Sequence, residues 1–221
     1  MQKFDTPTAV SAVLDIPAGR VHFTATERPD TTVEIQPADP TKNRDRKTAE
    51  QTTVTYTDGV LQINAGTSGN QLLGPSGSLQ VTVHLPAGSH LRAKAASTEL
   101  RTVGPLGDIT FDGAYRHITI DQAASLHLTA TDGDVEVGRL GGPARISTAR
   151  GTIRIGEAAH GTVELSTQMG DITIAAAPGV SAALDASTGH GRVSNALKND
   201  GTAELTIRAT TPHGDITARS L

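Results

Sequence analysis

From residue 91 onward the chain repeats one short pattern of apolar and polar positions. A glycine followed two places later by Ile or Val recurs at Gly133, Gly151, Gly170, Gly191 and Gly214, with a second apolar residue at Val137, Ile155 and Ile174. Seven, five and three residues before each glycine lies another alternating set: Leu126, Leu128 and Ala130; Ala144, Ile146 and Thr148; Val163, Leu165 and Thr167; Leu184, Ala186 and Thr188; Ile207, Ala209 and Thr211. Alternation with period two marks a strand with one buried face, so each repeat holds two strands and a connector. The frame persists without glycine around Arg116 (Ile109, Phe111, Gly113, Ile118, Ile120) and Thr98 (Leu91, Ala93, Ala95, Leu100).

Successive anchor positions are 17 to 23 residues apart. That is too short for a propeller blade, and the leucine-and-asparagine signature of leucine-rich repeats is missing. The pattern predicts that residues 91–221 form a parallel β-solenoid of about seven rungs. Stacking in chain order gives two outward ladders. One place after the anchor stand Glu99, His117, Asp134, Thr152, Asp171, Arg192 and Asp215, with no two carboxylates adjacent. Six places before it stand Arg92, Thr110, His127, Arg145, Glu164, Asp185 and Arg208, which pairs Arg145 with Glu164 and Asp185 with Arg208. The connectors 138–143, 175–182 and 196–204 collect the turn residues.

Residues 1–90 alternate in short runs outside this frame: 12–16, 20–25, 32–35, 53–56, 60–63 and 79–85. With turns at Pro17-Ala18-Gly19 and Asp58-Gly59, they predict an N-terminal antiparallel β cap over the first rung of an all-β chain, in one continuous unit with residues 91–221. Two segments read as loops, the charged stretch 39–51 and the Gly/Ser-rich stretch 66–78. At the other end the short last rung, 214–220, has no evident cover, which leaves its edge available for pairing with another copy.

Composition narrows the function. The only aromatic residues are Phe4, Phe23, Phe111, Tyr56 and Tyr115, too few for stacked sugar subsites or a single-stranded nucleic-acid platform. A net charge of −4 with interspersed signs gives no footprint for nucleic acid or an anionic membrane. The absence of cysteine removes disulfides, thiolate zinc sites and cysteine nucleophiles. The chain shows neither a charged leader with an apolar run nor a membrane-length apolar stretch, and on that basis it reads as cytoplasmic.

Candidate chemistry is sparse. The repeated Gly-Asp suggests calcium, but calcium-binding β-rolls use a nine-residue period, and corner-forming aspartates explain the pattern better. His190 and His213 each precede an anchor glycine and fall on adjacent rungs, where they could form an imidazole pair for a transition metal; no third ligand follows from spacing, and turn histidines are the simpler reading. Gly74-Pro75-Ser76-Gly77-Ser78 lacks the second glycine of a nucleophile elbow, and no glycine loop carries the Gly-Lys-Ser/Thr of a phosphate-binding loop. No catalytic residue and no cofactor is expected.

Leu85-Pro86-Ala87-Gly88-Ser89, which leads into the first rung, and the repeated Ser/Thr-x-x-Gly-Asp-Ile/Val, as in Thr167-Gln168-Met169-Gly170-Asp171-Ile172, resemble the adhesin-like β-strand-repeat family designated domain of unknown function 4097. The resemblance covers essentially the whole chain. It implies a bacterial β-solenoid with no catalytic residues to carry over. The expected function is a non-enzymatic scaffold or protein-binding module. Self-assembly through solenoid edges and an adhesin-like carbohydrate- or surface-binding role are the alternatives.

Overall fold

The computed structural model describes residues 1–66, 77–115 and 117–221. The chain begins with β1 (Gln2–Asp5), β2 (Ser11–Thr26), β3 (Asp30–Pro37), α1 (Asn43–Gln51), β4 (Thr53–Thr57), β5 (Val60–Asn64) and β6 (Leu79–Pro86). It continues through β7 (His90–Tyr115), β8 (Ile118–Asp132), β9 (Val135–Leu140), β10 (Ala144–Arg150), β11 (Ile153–Ala158), β12 (Gly161–Met169) and β13 (Ile172–Ala176). The last strands are β14 (Ala182–His190), β15 (Val193–Ala196), β16 (Leu205–His213) and β17 (Ile216–Ser220). The segment 67–76, which contains most of the elbow-like sequence, and the anchor Arg116 lie outside the described residues.

The repeat frame becomes a parallel β-solenoid. Leu126, Ala144 and Val163 align across β8, β10 and β12, and Val135, Ile153 and Ile172 align across β9, β11 and β13. The inward positions of these ladders form the core; Leu128, Val137, Ile153, Val163, Ile172 and Ile174 are fully buried. Each such aliphatic side chain contributes about 1.5–3 kcal/mol through its removal from water.

The Ser/Thr-x-x-Gly-Asp signature builds the corner between the two strands of a rung. Its threonine donates a hydrogen bond to the glycine carbonyl of the neighbouring rung: Thr167 Oγ1 to Gly151 O at 3.1 Å, Thr211 Oγ1 to Gly170 O at 3.1 Å, and Thr188 Oγ1 to Gly214 O at 2.9 Å. The glycine permits close stacking. Gly151 has φ +135°, and a Cβ there would lie 2.2 Å from Gly133 O. The aspartate then accepts the next rung's amide: Asp134 Oδ1 from Thr152 N–H at 2.7 Å, and Asp171 Oδ1 from Asp215 N–H at 2.8 Å. Each corner is thus stapled to its neighbours by backbone-directed bonds, which satisfies polar groups that would otherwise stand unpaired at a bend.

The rungs do not stack in chain order. β16 pairs with β12 on one side and β14 on the other, and β17 lies between β13 and β15. The last strands are therefore intercalated, and the exposed rung is β14–β15. This corrects the expectation that 214–220 offers the open edge. It also corrects the ladders. Asp171 and Asp215 are neighbours, a contact made tolerable because the Asp171 carboxylate binds the Asp215 amide. In the other ladder Arg208 sits between Glu164 and Asp185 and directs its guanidinium to Glu164, at 3.2 Å.

The same inversion occurs at the N-terminal end. β2 pairs in parallel with β7 over Ser11–Thr24, and with β5 and β6 on its other side. Ala12, Leu14, Ile16, Gly19, Val21 and Phe23 keep the repeat frame that residues 1–90 were expected to lack. Antiparallel pairing, expected throughout the cap, is confined to β1–β3, β3–β6 and β4–β5. The charged stretch read as a loop carries α1, anchored by the buried Asp45, whose carboxylate accepts the amides of Asp39 (3.2 Å) and Ser78 (3.0 Å).

Candidate binding face

The outward side chains before each corner form a shallow furrow. Two depressions, of about 360 and 440 Å³, share Asp108 and Thr110 and so run into one another. Together they extend from Val60 on β5 past Ser11, His90, Asp108, Ser125 and Pro143 to Glu164 on β12. Six strand spacings make this about 29 Å. One wall carries the ladder of Arg92, Thr110, His127, Arg145 and Glu164, side chains lifted from the sheet by the period-two pleat.

Charge alternates at the far end of this ladder, where Arg145, Glu164, Arg208 and Asp185 follow one another. Glu164 is gripped by Arg145 below and Arg208 above, and the Arg145 hydrogen bond is the main reason that its carboxyl stays below the usual glutamate range. Arg92 forms no ion pair among the described residues, which leaves a free cation in the furrow.

His90, Asp108 and Ser125 bring the three residue types of a hydrolytic relay together, but in an unproductive order. Ser125 Oγ donates to Asp108 Oδ1 at 2.6 Å, and Asp108 N–H donates to His90 Nδ1 at 2.9 Å. The hydroxyl is held by the carboxylate and not by the imidazole, so the three groups do not stand in the Ser-His-Asp order of a hydrolytic relay. The members of this trio stand eight places before the anchor positions 98, 116 and 133, so they share one outward column of the repeat frame.

His190 and His213 meet as the spacing predicts. They are register partners, with ring centroids 5.0 Å apart and planes at 7°. In this stacked arrangement the in-plane nitrogen lone pairs run parallel and do not converge on one point. Among the described residues no cluster of three or more His, Cys, Asp or Glu side chains is placed to hold a metal ion. The repeated aspartates act as amide acceptors at the corners, as the turn reading holds.

These features define a corner-stapled β-solenoid with a polar furrow. The chain belongs to the Toastrack DUF4097 family, whose sequence profile matches residues 13–219. Comparison with curated proteins gives no match. Similar solved structures include a protein of Clostridium sporogenes provisionally described as a cell adhesion protein, at 12% identity over 100% of this chain and 98% of that one, with a TM-score of 0.42. Another, from Bacteroides fragilis, is provisionally described as an adhesin, at 11% identity over 98% and 95% of the two chains, with a TM-score of 0.46. A third, from Parabacteroides distasonis, is provisionally described as lipid binding, at 10% identity over 98% and 95%, with a TM-score of 0.48.

Proposed function

We propose that this protein is a non-enzymatic binding module that holds an extended segment of a partner protein along its furrow. The supporting observation is the continuity of the two depressions, which offer donors and acceptors at the strand repeat over about 29 Å. An extended peptide has its own repeating donors and acceptors, and mixed charge in the furrow suits mixed charge in the partner. The residues 1–90 and 91–221 act as one body in this reading, because β2 and β7 share a hydrogen-bonded register and both line the furrow.

The test is site-specific photocrosslinking in native lysate, with the probe at Thr110 in the furrow or at Thr173 on the other outward face. A partner captured from Thr110 and not from Thr173 supports the proposal. Equal capture from both positions, or none from Thr110, refutes it.

A second reading, self-association, is favoured by the exposed rung. Val193 is 45% exposed, whereas its register partner Ile216 and the next residue in the column, Ile172, are 0% exposed. The apolar column is unfinished at that end.

A further inference from the structure

We propose that Met169, His213 and His190 form a copper(I) site at the C-terminal corner of the solenoid. Read in chain order, the two histidines have no third ligand. The intercalation of β16 supplies one. The β12–β16 register places Met169 opposite His213, and the β14–β16 register places His213 opposite His190. A thioether and two imidazoles therefore occupy one outward column at successive strand spacings of about 4.8 Å. All three side chains are exposed, so the rings can turn out of their stack to aim their lone pairs at one ion by rotamer adjustment alone.

The donor set selects the ion. Thioether sulfur is soft and favours copper(I), and imidazole serves copper equally well. Zinc accepts imidazole but does not use thioether sulfur as a usual ligand, and the harder cations take oxygen ligands. The nearest carboxylates, in the column beyond the glycines, are already engaged. Asp171 Oδ1 accepts the Asp215 amide, while Asp215 accepts both the amide and the guanidinium of Arg192, at 2.8 and 3.2 Å. Two arginines flank the trio: Arg150, the register partner of Met169 in the same column, pairs with Asp132 at 3.7 Å, and Arg192 pairs with Asp215 at 3.2 Å, which reduces their repulsion of a monovalent cation. The two imidazoles and the thioether supply an N₂S set at this corner.

The test uses the full chain under anaerobic conditions, titrated with copper(I) against a chromogenic copper(I) chelator. Methyl NMR follows the only two methionines, Met1 and Met169. The expected result is one equivalent of copper(I) retained, a shift of the Met169 methyl, and at least tenfold weaker retention in Met169→Leu, His213→Asn and His190→Asn. His160→Asn, at an exposed histidine elsewhere, should match the wild type. The proposal is overturned if the chelator strips all copper from the wild type, if Met169→Leu retains it equally, or if only the Met1 methyl moves. The substituted side chains are exposed, and circular dichroism confirms that the variants remain folded.

Discussion

At Gly151 an added methyl group has no space. The backbone is in a region that L-residues avoid, and the neighbouring Gly133 carbonyl occupies the position of the Cβ. Gly151→Ala should cost about 3 kcal/mol in urea unfolding, combining backbone strain with a steric clash. Gly179 is a control, with φ +81° and nothing within 4 Å of the point where a Cβ would stand; Gly179→Ala should cost only about 1 kcal/mol. Thr102 presents the opposite case. Its hydroxyl is buried between Phe23 and Ile120 with no partner among the described residues, so Thr102→Val should stabilise the fold by about 1 kcal/mol, read as a higher urea midpoint.

Asp30 predicts a pH dependence. The Arg28 hydrogen bond, followed by that of Lys3, lowers its carboxyl from 3.8 to about 2. A carboxyl depressed by folding adds stability above its unfolded value and loses it as pH falls through the folded one. The stability difference between wild type and Asp30→Asn should therefore be constant above about pH 4 and shrink toward pH 2. A difference that grows in that window contradicts the assignment.

Among the elements, the strands and the stacking of the middle rungs were legible, and the neighbours of the strands at the two ends were not. Period-two alternation located the strands and the glycine corners because those constraints are local to one rung. Every rung presents the same inward pattern, so apolar burial does not distinguish one stacking order from another. One signal was available: chain order sets Glu164 beside Asp185, whereas inserting Arg208 between them restores alternating charge. The rung formed by β2 was missed because Ile16-Pro17-Ala18-Gly19-Arg20 carries neither the threonine nor the aspartate of the corner signature. α1 was missed because its only buried residue is the charged Asp45. The pairing of Met169 with His213 depends on the intercalated order and shares that obscurity, whereas the furrow trio lies in one column of the chain-order frame. Deleting 205–221 tests the intercalation: it empties an interior slot, so hydrogen exchange should show β14 and β15 losing protection while β8 to β11 keep theirs. Retained protection in β14 refutes the observed order.

On the scale of the whole molecule the two ends differ. β3 and β4 seal the N-terminal edge by antiparallel pairing, with β1 beyond β3, while β14 and β15 have no second strand partner among the described residues. Two copies that meet through this same rung bury it on both sides, so association through that edge should yield a closed pair and not a filament. Light scattering over a hundredfold concentration range should then show mass rising from 22.8 kDa to twice that value and no further, with Val193→Lys holding it at the lower value. A constant mass for the wild type removes this mode of association.

The inverted stacking also dictates an order of events in biosynthesis. A ribosome delivers β14 and β15 before β16 and β17, yet the later pair occupies the gap next to β12 and β13. The emerging chain must either leave that gap open or fill it with the wrong rung and then exchange. Completion thus waits for β16 and β17, and a slow final phase in refolding, absent when 182–221 are deleted, would be its kinetic trace.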